Sequence, residues 1–395
     1  MPRCPDDDHT GTRIKEQRKL ARLTQRQPAD RIPYSYSLLN QVECGARPTT
    51  SDFVAAVSRA LGIDATVLTG QPYVSDLRQN RLASLVRPIR EALDLYDLGA
   101  NPDLSARPAT VLVTEADRVC QRVRATHLRL AARDLPWVIA ELTHVAWTTP
   151  STPVWQALAS AYRTAHDIAV KVGYSDLSVV ALDRMDWAAA RASDPCLAAI
   201  RQYKRALGYH KAGTPAVGQR LIASGHSLLA FESSRESLAV AGQLHLGASA
   251  VAARAGDEAT VASHIGAARE LAGRVGGEAG DIHWLSFGHT NIALHEMGAA
   301  VEMRQYDRAL VQARRMKLPA GTLTSRRARF LVDRALVEME TGHTDAALKH
   351  LVEARAAAPE QTRYHPRAQE TISGLVRRAR SAPDNLAHMA SWVGL

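Results

Sequence analysis

The sequence predicts an all-α protein, and three observations carry that expectation. Apolar residues recur at three- and four-residue steps in run after run, the period of a helix face turned to a core. The 24 glycines and 18 prolines punctuate those runs and form no low-complexity tract. From Ser75 onward the chain of 395 residues reads as helices and turns alone. The expected layout is a disordered tail over residues 1–10, five short helices over 11–70, a linker over 71–74, and a long series of helical hairpins over 75–395.

The N-terminal helices can be taken in order. The first is expected from Thr12 to Arg22, with Ile14 and Leu20 inward and the basic residues outward. Thr24 with Gln27 three residues on makes a capping box for the second. Asp30-Arg31-Ile32-Pro33 interrupts it, because Pro33 has no N–H and pushes Ile32 out of the α region. Ser35 restarts the chain as an N-cap, and Leu38, Leu39 and Val42 form an apolar stripe. Tyr36, Ser37, Asn40 and Gln41 are left on the other face, uncharged groups suited to hydrogen-bonding base edges. Gly45 ends that helix, and Arg47 lies in a loop from which it can reach a phosphate. Ser51 is expected to cap a fourth helix over Asp52–Leu61, stopped by Gly62, and Asp64 a fifth ending at Gly70.

Leu23-Thr24-Gln25, Ala29, Ser35, Val42-Glu43 and Gly45 fall at the offsets of the Cro/repressor-type (XRE) helix-turn-helix domain, which this stretch resembles. The resemblance implies double-stranded DNA as a partner. Tyr36, Ser37, Asn40 and Gln41 would read bases, while Gln25, Ser35 and Arg47 hold phosphates. It also implies an ion pair between Arg18 and Glu43 that fixes the reading helix to the first helix. Two residues depart from the family pattern: Pro28 stands inside the second helix, and Pro33 replaces the turn glycine. Charge agrees with the reading. The formal net charge is +9, and between Gly11 and Thr50 eight basic residues meet only Glu16, Asp30 and Glu43.

Further on, Trp155, Leu158, Ala159 and Tyr162 match the first-helix signature of the tetratricopeptide repeat (TPR), with Ala for Gly. Gly342, Ala347, Ala354 and Pro359 match its second half, and Gly256 with Ala268 repeats the glycine-plus-twelve spacing. Candidate turns at Gly173, Gly213, Gly256, Arg304 and Gly342 are 40, 43, 48 and 38 residues apart, so long irregular helices are expected. This part resembles a TPR-like α-solenoid. The pairing of the two parts resembles regulators of the Rap/PlcR/PrgX type, which implies a homodimer whose repeat domain senses a peptide or small-molecule effector. Asp281–His295 reads as one helix with Trp284, Phe287, Asn291 and His295 near one face, the expected effector-binding residues. The competing reading makes the two aromatics ordinary packing and Asn291 a satisfied buried amide.

No nucleotide-binding, zinc-protease or hydrolase signature occurs, so no enzyme, cofactor or metal is expected. Cys4, Cys44, Cys120 and Cys196 are scattered, with no C-x-x-C spacing. No apolar run is long enough for a membrane span and the start is not a signal peptide, so the expected location is the cytoplasm. The alternative function is a protein-interaction scaffold with weak or vestigial DNA binding, which Pro28 favours.

Overall fold

The computed structural model describes residues 10–63, 65–69, 83–212, 214–379 and 384–394, and every regular element among them is helical. Five helices come first: α1 (Thr10–Leu20), α2 (Arg26–Ala29), α3 (Tyr36–Glu43), α4 (Ser51–Leu61) and α5 (Ala65–Thr69). Their core is Ile14, Ala29, Ile32, Leu39, Val42, Phe53, Val54, Ala56, Val57 and Leu68. Three expectations need correction. Thr10, placed in the tail, is already helical. Leu20 is 74% exposed, because Gly11, Ile14 and Arg18 make the buried face of α1 and Leu20 lies two residues, about 200°, further round. Thr50 caps α4, its hydroxyl accepting from Phe53 N–H at 3.2 Å, and Ser51 is the first helical residue. Asp64, Gly213 and the expected linker at 71–74 lie outside the described residues.

A larger body follows. It consists of α6 (Val86–Asp94), α7 (Ala109–Arg124), α8 (Leu128–Thr148), α9 (Thr152–Val172), α10 (Ser175–Ala192), α11 (Pro195–Ala212), α12 (Pro215–Leu228), α13 (Arg235–Arg254) and α14 (Glu258–Val275). After these come α15 (His289–Glu302), α16 (Tyr306–Arg315), α17 (Thr324–Glu340), α18 (Thr344–Ala357), α19 (Pro359–Arg363), α20 (Pro366–Arg378) and α21 (Asp384–Val393). Sequence neighbours pack as antiparallel pairs, most intimately α9 on α10, α11 on α12, α13 on α14 and α17 on α18. Small residues make that approach close. Ala159, Ala161 and Ala165 on α9 and Ala181 and Ala188 on α10 are fully buried, as are Ala268, Ala347 and Ala354. Trp155 and Tyr162 are buried packing residues. Four of the expected turn positions, Gly173, Gly256, Arg304 and Gly342, have left-handed φ values of 88°, 74°, 58° and 86°.

Alternate helices also touch. α7, α9, α11, α13, α15 and α17 form one continuous layer, with the intervening helices on the other side. That inner layer closes on itself, because α17 returns to contact α7. The closure is held by Arg129 of α8, which donates its backbone N–H to Glu360 at 3.1 Å, and by Lys171 of α9, which bonds Gln361. The N-terminal helices are tied to this body through Asp52, paired with Arg254 and at 3.5 Å from Arg304, whose side chain also bonds Tyr34.

Candidate functional site

On α3, Ser35 caps the helix by accepting from Leu38 N–H at 3.2 Å. Leu39 and Val42 then point into the core, and helical geometry leaves Ser35, Tyr36, Ser37, Asn40 and Gln41 exposed. The exposed row is organised. Gln25 receives a hydrogen bond from Tyr36 Oη at 3.0 Å, and its amide donates to Asn40 Oδ1 at 3.2 Å and to Glu43 Oε2 at 2.7 Å. Gln41 reaches Ser37 Oγ at 3.5 Å, and Arg47, exposed in the following loop, donates its backbone N–H to Gln41 O at 3.1 Å. Gln25 is thus a strut between α2 and α3 as well as a half-exposed polar group. Sequence reading gave it only the phosphate role.

Beneath that row lies the Arg18–Glu43 pair, two parallel bonds of 2.7 and 2.8 Å between side chains 9% and 1% exposed. A third Arg18 nitrogen donates to Leu23 O at 2.8 Å. The hydrogen bonds that Arg18 donates to Glu43 hold the guanidinium's pKa above its ordinary value. The capping box is half made: Thr24 N–H donates to Gln27 Oε1 at 2.7 Å. Pro28 is buried as the third residue of α2, where its missing N–H has no intrahelical partner to lose.

Trp284, Phe287, Asn291 and His295 do not share one helix face. The chain over 281–288 is a short 3₁₀ turn and a loop, with His283, Trp284 and Ser286 at φ 46°, 53° and 62°, and α15 starts only at His289. Two contacts force the break. Ala279 N–H donates to Phe287 O at 2.7 Å, and Glu278 caps α15 by accepting from Thr290 N–H at 2.9 Å. Gly288, at φ 150°, permits the second, since a Cβ there would stand 2.3 Å from Glu278 Oε2. Trp284 donates its indole N–H to Asp117 of α7 at 2.6 Å. Phe287 is fully buried in a notch left by Gly242 of α13.

Asn291 and His295 do face the inner layer. Asn291 donates to Gln243 Oε1 at 3.1 Å, and Gln243 donates to Tyr203 Oη at 2.8 Å; Tyr203 in turn bonds Arg326. Burial, then Arg326 and Arg329, push the His295 pKa down to about 3. Around Arg326 the inner helices gather Arg124 of α7, Arg163 and Lys171 of α9, and Lys204 of α11. Among the described residues, the ion pairs of these five cations involve one carboxylate, Asp167, at 2.5 Å from Arg124 and 2.7 Å from Lys204. No signal in the sequence could single them out, since they stand up to two hundred residues apart among 49 lysines and arginines.

Among the described residues, one set of metal-type donors converges. Asp194, buried Cys196 and exposed Glu236 have ligand atoms within 4.8 Å of one another, with His283 Nε2 at 2.5 Å from Glu236. Burial, followed by the nearby carboxylates, pushes the Cys196 thiol up to about 12. Spacing rules missed the group because its members come from three separate segments. Among the described residues, no helix is long and apolar enough to cross a membrane.

No protein-family profile matches the chain, and no solved structure does. A stretch of 129 residues is 30% identical to a protein of Cereibacter sphaeroides named propionyl-CoA carboxylase regulator. The match spans 32% of this chain and only 26% of that relative's length.

Proposed function

We propose that this protein is a DNA-binding transcriptional regulator. In this reading α1–α5 form an XRE-type helix-turn-helix head, and the body is a TPR-like solenoid that dimerises and senses an effector. The observation that carries the proposal is the exposed row Tyr36, Ser37, Asn40 and Gln41 on a short helix clamped from beneath by Arg18 and Glu43. A reading helix must present uncharged hydrogen-bonding groups at a fixed angle, and this one is held at both its buried face and its Gln25 edge. The excess of basic residues in the head supplies the phosphate attraction. The partial likeness to a protein named a regulator supports the same class. A lone head of this size makes few base contacts, so the reading includes a two-fold dimer addressing half-sites about one helical turn apart.

The test is a genome-wide selection of bound DNA with the purified chain, followed by titration of the selected site. Asn40→Ala and Gln41→Ala should each weaken that site by about 1–3 kcal/mol and leave random DNA nearly untouched. Equal losses on both kinds of DNA would remove base reading. No DNA binding at all would return the body to the role of a partner-holding scaffold. Light scattering that finds a monomer both free and on DNA would remove the dimer.

A further inference from the structure

We propose that the ring of inner helices is a binding site for a small phosphate-bearing polyanion, held by Arg124, Arg163, Lys171, Lys204 and Arg326. Its regulatory meaning rests on the regulator reading above; the binding does not.

The side chains come from α7, α9, α11 and α17, all in the layer that closes on itself. Cations on an outer face are dispersed in water, whereas these are drawn together and largely buried between helices of the inner layer. Arg124 and Lys204 are 13% and 11% exposed at the side chain, and Arg163 as a residue is 1% exposed. Like charges so placed repel each other in a medium that screens poorly, and one carboxylate cannot neutralise five of them. Burial and then the charge of Arg124 push Lys171 down to about 7. Burial pushes Lys204 down to about 8, with Arg124 opposing Asp167. Two guanidinium nitrogens, Arg124 Nε and Arg163 Nε, are buried with no hydrogen-bond partner. Orphaned donors in such a place cost stability unless a ligand accepts from them. Planar guanidinium forks beside compact ammonium groups match phosphate oxygens better than they match a single carboxylate. The chain Asn291–Gln243–Tyr203–Arg326 would carry occupancy to α15, whose far end leads to Arg304 and so to Asp52 and Tyr34 of the N-terminal helices.

The experiment uses the full chain and inorganic pyrophosphate as probe, at constant ionic strength and pH 7, with calorimetry and thermal melting as readouts. Pyrophosphate should bind at one site per chain and raise Tm, and Lys171→Met with Lys204→Met should weaken it at least tenfold. Lys19→Ser with Arg22→Ser on the head should leave the affinity unchanged; a loss there would mean that the probe sits on the head and would overturn the site. Should the lysine variant misfold, Asp167→Asn decides. Removing the lone carboxylate should lower the Tm of the free protein yet tighten pyrophosphate severalfold, which a purely structural Asp167 would not do. No binding by the parent chain, or weaker binding by Asp167→Asn, would overturn the proposal. Succinate binding as tightly as pyrophosphate would overturn the phosphate class. A chain that binds pyrophosphate but no DNA would sink the regulator reading and leave this site standing.

Discussion

Replacing Arg18 by Ala tests how α3 is held. The substitution leaves the Glu43 carboxylate, 1% exposed, with Gln25 Nε2 as its one remaining side-chain donor among the described residues, and it frees Leu23 O as well. Breaking a buried pair from one side costs about 3–5 kcal/mol, because the surviving charge stays desolvated. In a unit of about 60 residues each kcal/mol moves Tm by roughly 4–8 °C, so the N-terminal transition should fall by more than about 10 °C. The assay is thermal unfolding followed by circular dichroism, with DNA affinity measured below the transition. Arg18→Met combined with Glu43→Leu separates the pair's net worth from the penalty of an orphaned charge. That double variant should recover much of the lost stability, since apolar groups of similar volume replace a buried pair at little cost. It should not recover DNA binding, because Glu43 also anchors Gln25 beneath Tyr36 and Asn40. An Arg18→Ala protein within about 0.5 kcal/mol of the parent would show that water reaches the pair and that the argument from burial is wrong.

Two further outcomes follow from the body. Gly242→Ala should destabilise by about 1–3 kcal/mol despite the better helix propensity of alanine, because its Cβ would stand 2.0 Å from Phe287 Cζ in a full core; a denaturant midpoint equal to or above the parent's would refute the notch. Stability should also fall on acidification from about pH 6.5 toward 4. His245 is pushed down to about 4 by burial and then by His226 and His264, and His295 to about 3, so the unfolded chain binds more protons throughout that window. His245→Gln with His295→Gln should flatten the dependence, and an unchanged slope would place the protonation elsewhere.

Helix content was legible because it depends on local periodicity, and the left-handed turns at Gly173, Gly256 and Gly342 because glycine there has a backbone reason. Even Arg304 could be placed at a turn by its distance from its neighbours, though nothing local marks it as left-handed. Leu20 misled because an apolar residue near a helix end says little about its direction once a buried arginine takes the inward position. The break at 281–288 was invisible for a different reason. Trp284, Phe287 and Asn291 keep helical spacing in the sequence, but Phe287 is drawn into the Gly242 notch and Glu278 caps a helix that starts late. Gly242 lies on a distant helix, so tertiary contact overrides the local pattern.

The same reasoning explains why a sequence can point near an interior site and still name the wrong residues. Asn291 and His295 attract notice because a mid-helix amide and an imidazole among alanines are uncommon, and both do turn toward the inner layer. What distinguishes that layer chemically is cationic, and lysines and arginines are the residues a sequence reader assigns to solvent by default. Ring closure changes their meaning. Until α17 meets α7, Arg326 and Arg124 are ordinary surface cations on separate helices. Once it does, they share a poorly screened space with Lys171, Lys204 and Asp167. The excess charge is therefore a property of the closed ring, and a phosphate-bearing ligand bound by these cations would stabilise that closure by mass action.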